Sequence, residues 1–275
     1  MADVVQSFNC AKCGAPLKMK GGEAVIVCGY CGSANNLRAD KFYVVSHTWM
    51  PSRLSKDDAL KRAKEWMSGG MIMPSGMERS EITNAELVYV PLWVFKTKNK
   101  TDYSGLFLRG GEKPVSGVEE REFYWKVLGR RQSDFPVKEY KVPLDAKVPF
   151  AIEEAMSGRM LNGEMSEDDA KDVARQEIAA HMKLLLGEKV DRFEKCDTKT
   201  EFGEGEFLHV PIWMMEFIYK GKPYKLYIEG TNGGVVKGEI PPSDFLGGEM
   251  KLIMGVAAAL ILLAACGLVA LMFLR

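Results

Sequence analysis

Four cysteines carry the clearest chemistry in the chain. Cys10-Ala-Lys-Cys13-Gly14 and Cys28-Gly-Tyr-Cys31-Gly32 are near-identical knuckles separated by 14 residues. A two-residue gap lets both sulfurs of a knuckle reach one ion, and four thiolates complete the tetrahedral shell that Zn²⁺ takes in structural sites. The glycine after each knuckle tolerates the left-handed turn that aims backbone N–H groups at sulfur. Disulfides or a redox pair are the competing readings of paired cysteines. The matched glycines favour one structural zinc ion held by Cys10, Cys13, Cys28 and Cys31. With all four positions taken by cysteine, no coordination place is left for a substrate, so no catalytic metal is expected. A ribbon this small cannot fold on its apolar core alone, and metal binding supplies on the order of 10 kcal/mol. Cys196 and Cys266 stand apart from the set.

The other reactive side chains do not assemble into a pattern. His47, His181 and His209 fall in three segments, and no Ser/His/Asp order, HExxH or phosphate loop is present. Gly110-Gly111 and Gly203-Glu-Gly205 have acidic neighbours and are unsuited to cradling phosphate. No catalytic residue and no organic cofactor is expected. The 275 residues carry 37 basic and 37 acidic side chains, which leaves no long-range field to gather nucleic acid.

The elements that must hold these groups come from an internal duplication at an offset of about 110 to 120 residues. Ser55-Lys-Asp-Asp58-Ala59 and Ser166-Glu-Asp-Asp169-Ala170 each open a helix with an N-cap serine and first-turn acids. The first helix is expected to stop at Gly69-Gly70 and the second at Gly187. Each is followed by a matching strand, Leu87-Val-Tyr89-Val90-Pro91-Leu-Trp93-Val-Phe95 and Phe207-Leu-His209-Val210-Pro211-Ile-Trp213-Met-Met215. Proline removes a ladder donor, so each strand should meet an edge, a bulge or a bend there. Glycine turns at Gly221 and Asn232-Gly233 extend the second copy into a meander, while the first copy has a looser counterpart with a turn at Asn99. Strands over Phe42 to Trp49 and Glu139 to Val148 should precede the helices. Within the ribbon, Leu17 to Lys20 and Ala24 to Val27 flank Gly21-Gly22 and read as a hairpin. Tyr89, Trp93, Trp125, Trp213, Tyr219, Tyr224 and Tyr227 read as core beneath the helices, with a peptide groove as the alternative.

The last block is apolar throughout. Leu252 to Leu274 is 23 residues without a charge, Ser, Thr, Asn, Gln, Pro or His. As a helix it would be ~34 Å long, against a hydrocarbon core of ~30 Å. Its twelve Leu, Ile, Val and Phe residues favour insertion by about 4 to 7 kcal/mol. The opening Met1-Ala-Asp-Val-Val-Gln has no basic and apolar leader, so the expected topology is a single-pass tail anchor with the N-terminus cytoplasmic. Reduced thiols suit that compartment. The expected class is therefore α+β: a zinc ribbon over 1–39, helix-plus-antiparallel-meander repeats over 40–135 and 136–240, a linker over 241–251 and a transmembrane helix over 252–274.

The order of Cys₄ ribbon, Ser-x-Asp-Asp-Ala helix, Tyr89-Val-Pro91-Leu-Trp93-Val-Phe95 strand, their repeat and a hydrophobic tail resembles the membrane-anchored zinc-ribbon proteins of bacteria and archaea. These are often labelled by analogy with transcription-factor-B ribbons or primosomal helicases. The segment Tyr224 to Pro241 is similar to PepSY-like modules. The resemblance implies an adaptor for membrane protein partners or scaffolds, of the flotillin-like or membrane-stress kind, with oligomers possible. No ATP-binding motif accompanies the helicase label. The reading that follows is a non-enzymatic adaptor at the bilayer, and no nucleic acid partner is expected. The alternative is a membrane-tethered transcription or nucleic-acid-linked regulator acting through its ribbon.

Overall fold

The computed structural model describes residues 6–38, 41–69, 73–131, 135–137, 140–152 and 157–242. The linker from 243 onward and the apolar segment Leu252 to Leu274 lie outside them. Among the described residues no helix is long and apolar enough to cross a membrane.

Two very long strands, β6 (Glu81–Phe107) and β10 (Arg192–Tyr219), form the middle of one mixed sheet. They run antiparallel, and Val90 lies opposite Val210. Because these two valines hold the same place in the two sequence copies, a pseudo-twofold axis passes between them: Pro91 faces His209 and Tyr89 faces Pro211. Equivalent partners flank the pair on either side. On one side β5 (Lys41–Trp49) lies parallel to β10, and on the other β9 (Arg159–Met160) lies parallel to β6. Farther along, β7 (Lys113–Leu128) pairs with β6 from Leu92 onward, and β11 (Lys222–Glu229) pairs with β10 from Ile212 onward. A last strand, β12 (Val235–Gly238), continues the second copy as a meander.

This arrangement explains the prolines. Pro91 sits where the neighbour of β6 changes from β9 to β7, and Pro211 sits where the neighbour of β10 changes from β5 to β11. Among the described residues no strand stands at either point to receive an N–H, so the missing donor breaks no ladder bond in mid-sheet. Neither strand ends, and proline marks a change of neighbour. The carbonyls are used in the same way twice: Pro91 O accepts from Gly129 N at 2.8 Å and Pro211 O from Gly230 N at 2.7 Å. The Gly129 carbonyl accepts in turn from Glu164 N and Met165 N, and the Gly230 carbonyl from Arg53 N and Leu54 N.

Both helices begin with a full capping box, Ser55 with Asp58 and Ser166 with Asp169. The first, α1 (Lys56–Ser68), ends at Gly69, and the second, α2 (Glu167–Leu186), ends at Gly187, as the sequence leads one to expect. They lie on one face of the sheet. Ala59, Ala63 and Met67 of α1 share a core with Trp213, Met215, Leu226 and Ile228 of the second copy. Ala170, Ala174, Ile178 and Met182 of α2 share one with Trp93, Phe95 and Val127 of the first copy. Each helix thus covers aromatic residues of the other repeat, so the copies are interwoven in one sheet. The opposite face, built by Val88, Val90, Leu92, Leu208, Val210 and Ile212, is closed by Phe135, Tyr140 and Leu144 from the connection between copies.

Three local expectations need correction. The ribbon segments around Gly21-Gly22 do not pair with each other. β2 (Pro16–Met19) pairs with β1 (Gln6–Asn9), and β3 (Val25–Val27) with β4 (Ala34–Arg38), so each knuckle is the turn of its own hairpin. No turn occurs at Asn99. β6 continues through it because the buried Asn99 amide donates to Thr97 Oγ1 and Arg121 O, and the chain reverses at Gly110-Gly111, both with positive φ. Of the stretch expected as a strand over Glu139 to Val148, the described residues 140–147 are not a strand: Leu144–Ala146 is a 3₁₀ turn, and β8 (Val148–Pro149) pairs against β5. The strand that precedes α2 in the manner of β5 is β9. Finally, of the aromatic set, Tyr89, Trp93, Trp213, Tyr219 and Tyr227 are buried, as the core reading has them.

The glycine that closes each proline gap has little room. A methyl group on Gly230 would stand 2.8 Å from Pro211 Cβ and 2.9 Å from Ser52 Oγ. On Gly129 it would stand 3.0 Å from the Pro91 carbonyl oxygen. Gly230→Ala should lower unfolding stability by about 1–3 kcal/mol and Gly129→Ala by a comparable amount. Urea denaturation followed by tryptophan fluorescence checks both, with Gly21→Ala, which meets open space, as the reference.

Candidate metal centre

The two knuckles have the same backbone. In the first, Gly14 N donates to Cys10 O at 2.9 Å and Cys10 N to Ala15 O at 2.8 Å. In the second, Gly32 N donates to Cys28 O at 2.9 Å and Cys28 N to Ser33 O at 2.9 Å. Gly14 and Gly32 have φ of 74° and 69°, the left-handed region open to glycine. These turns draw the side chains inward, and the four Sγ atoms lie within 4.8 Å of one another. Cys10 Sγ is 3.7 Å from Cys31 Sγ, and Cys13 Sγ is 3.7 Å from Cys28 Sγ. Four sulfurs at ~2.3 Å from a tetrahedral ion stand ~3.8 Å apart, so the residues fit a metal of zinc size. The structure brings together all four cysteines that the spacing picks out. Cys196 is elsewhere, on β10, where burial pushes its thiol pKa up.

The spacing does not reveal the groups that hold the sulfurs in place. Ser33 Oγ lies 3.2 Å from Cys10 Sγ and 3.1 Å from Cys31 Sγ. The buried Asn35 amide donates to Ser33 O at 3.0 Å and accepts from Ala11 N at 2.9 Å, tying one knuckle to the other. Burial raises the Cys10 thiol, but the Ser33 hydroxyl and the amides of Cys13 and Lys12 outweigh it and pull the group down to about 5. Cys13 gains from the Ala15 amide, yet the adjoining sulfurs of Cys31, Cys10 and Cys28 push it up to about 12. Negative charge on one sulfur opposes charge on the next. A cation among the sulfurs relieves that opposition.

The two knuckle hairpins are joined firmly to the main sheet. β4 pairs with the first half of β5, whose second half pairs with β10, so its second hairpin is continuous with the main sheet. Gly163 exchanges hydrogen bonds with Val25, and Asn162 Oδ1 accepts from Val27 N at 3.3 Å. Asn36 Oδ1 accepts from Glu167 N, and Tyr43 bridges Asn36 to the Glu167 carboxylate at the start of α2. Burial and that carboxylate push the Tyr43 phenol up to about 12. His47 and His209, distant in sequence, also meet at this junction. The sequence trace of the junction is Asn35-Asn36, two polar residues of low strand propensity inside β4, which signals that their side chains have partners.

No known protein-family model matches this chain, and no curated protein or solved structure matches it. The site is therefore read from its own geometry.

Asn35→Ala removes the acceptor for Ala11 N and the donor to Ser33 O together. It should cost about 1–3 kcal/mol of stability and weaken metal retention about tenfold or more. Competition with a chromogenic chelator measures the second quantity, and Asn232→Ala on the distant β11–β12 turn serves as the control.

Proposed function

We propose that Cys10, Cys13, Cys28 and Cys31 hold one structural zinc ion, and that the protein is a non-enzymatic adaptor moored in the membrane through Leu252 to Leu274. Its head faces the cytosol and binds membrane protein partners or a scaffold. The observation that carries the metal reading is the single cluster of four sulfurs, closed in the manner of a structural site. An ion there adds rigidity to the whole junction, because the knuckles, β4 and the start of α2 are joined by hydrogen bonds. The adaptor reading is supported by the absence from the sequence of catalytic motifs and by its balanced charge. The membrane reading is supported by the composition of the tail. A tether of ten residues or so keeps the head within ~35 Å of the bilayer and raises the effective concentration of partners already there.

Elemental analysis of protein purified without added metal should find one zinc per chain, falling below a tenth of that in Cys10→Ser/Cys13→Ser. Removal of residues 252–275 should move the protein from the membrane pellet to the soluble fraction. Retention in the pellet after that truncation would dismiss the anchor. Salt-sensitive binding to DNA or RNA that depends on Lys12, Lys18 and Lys20 would favour the regulator instead.

A further inference from the structure

The half-buried His47 and the buried His209 form a chain of three polar contacts. His47 Nδ1 is 2.7 Å from the Gly32 carbonyl oxygen, His47 Nε2 is 2.9 Å from His209 Nδ1, and His209 Nε2 is 2.8 Å from the Leu161 carbonyl oxygen. The two ends are acceptors only, so each outer contact needs an N–H on the ring. A neutral imidazole has one N–H. Three contacts therefore need three protons, and two neutral rings bring two. Burial holds both rings neutral near pH 7: it lowers His47 to about 4 against the help of Gly32 O, and His209, with His47 beside it, to about 3. If both N–H groups faced the carbonyls, two lone pairs would meet at the central contact. Two arrangements avoid this. With both protons on Nδ1, His47 donates to Gly32 O and His209 donates to His47. With both on Nε2, His47 donates to His209 and His209 donates to Leu161 O.

We propose that the His47–His209 pair is a two-state tautomer relay that reports metal occupancy of the ribbon to the centre of the sheet, with both protons on Nδ1 when metal is bound and both on Nε2 when it is absent. Gly32 O is the sensing atom. It belongs to the residue after Cys31, whose N–H closes the second knuckle on Cys28 O. Phe150 presses on the same glycine, where a Cβ would stand 2.7 Å from the ring, and stacks on His47 at 4.1 Å. The position of that carbonyl thus depends on a closed knuckle. Leu161 O is the responding atom, one residue beyond β9, whose Leu161 N donates to Tyr89 O beside the pseudo-twofold axis. The fold itself does not require the pair. In the other repeat the corresponding places hold Gly158 and Tyr89, packed against each other without a second ring. The copies differ here, where the ribbon docks.

The proposal rests on the metal site, so metal content is measured first, on the full chain in detergent micelles. Chain that retains no metal overturns both readings. On metal-bearing protein, ¹⁵N ring shifts of His47 and His209 should show Nδ1 protonated in each. Chelation should exchange the pyrrole-type and pyridine-type shifts in both rings while sheet amides stay protected. Tautomers that do not move on chelation overturn the relay alone, and so does loss of amide protection throughout, since the relay needs two folded states. His209→Gln keeps a donor for Leu161 O in both states, so metal binding no longer exchanges one hydrogen bond for another. It should bind zinc about fivefold more tightly in chelator competition. A residue with a packing role alone gives unchanged or weaker binding, which would overturn the proposal. Should that variant not fold, the ring measurement on the unsubstituted chain decides.

Discussion

The structure depends on the antiparallel pairing of β6 with β10 about Val90 and Val210. Two copies of one strand can pair symmetrically only if each copy's neighbours also match, and here they do, down to the backbone contacts around Gly129 and Gly230. The prolines are the device that allows it. At Pro91 and Pro211 the outer edge of each long strand passes from a parallel partner to an antiparallel one, and a gap must exist where one ends and the other begins. Elsewhere in mid-sheet a residue without an N–H would leave a carbonyl unpaired. Here it marks the gap and keeps any other strand from pairing there. The interweaving follows, since the core under each helix draws aromatic residues from both copies.

That architecture governs how the ribbon relates to the rest. In this chain β5 serves two neighbours in succession, β4 in its first half and β10 in its second, so no stalk exists between metal site and sheet. Polar contacts with Gly163, Asn162 and Glu167 add a second attachment from the start of the second copy. Ordering the knuckles therefore orders the strand that the sheet needs, and a metal ion held there would share its binding free energy with the junction.

Features with a local cause were legible from the sequence. The helix limits at Ser55, Gly69, Ser166 and Gly187 were legible because caps are short-range chemistry. The four cysteines were legible because metal geometry dictates spacing. The ribbon pairing misled, since Gly21-Gly22 resembles a hairpin turn while the real turns are the knuckles. Asn99 misled for a related reason: asparagine favours turns when its amide bonds its own backbone, but here the amide is buried and bonds Thr97 and a neighbouring strand. The junction residues Ser33, Asn35, His47 and His209 were the least visible, because their partners are supplied by distant segments that only the fold brings near.

The pseudo-symmetry also shows what each copy adds. Where the copies agree, as at the capping boxes, the prolines and the closing glycines, one packing solution has been used twice. Where they differ, the local surroundings differ too. Trp93 Nε1 donates to Met165 O, whereas the buried Trp213 Nε1 has no hydrogen-bond partner among the described residues, so the two indoles are not held in the same way. The β6–β7 hairpin outreaches β10–β11 by many residues and its far half pairs with the start of β10, carrying Lys98 and Lys100 opposite Glu122 and Glu120 along an exposed face. The β10–β11 hairpin instead turns tightly at Lys220-Gly221, both in the left-handed region. Thus the shared core sets the sheet, and the unequal hairpins together with the one-sided ribbon remove the equivalence of its two ends. The two ends of the pseudo-symmetric sheet therefore present different surfaces.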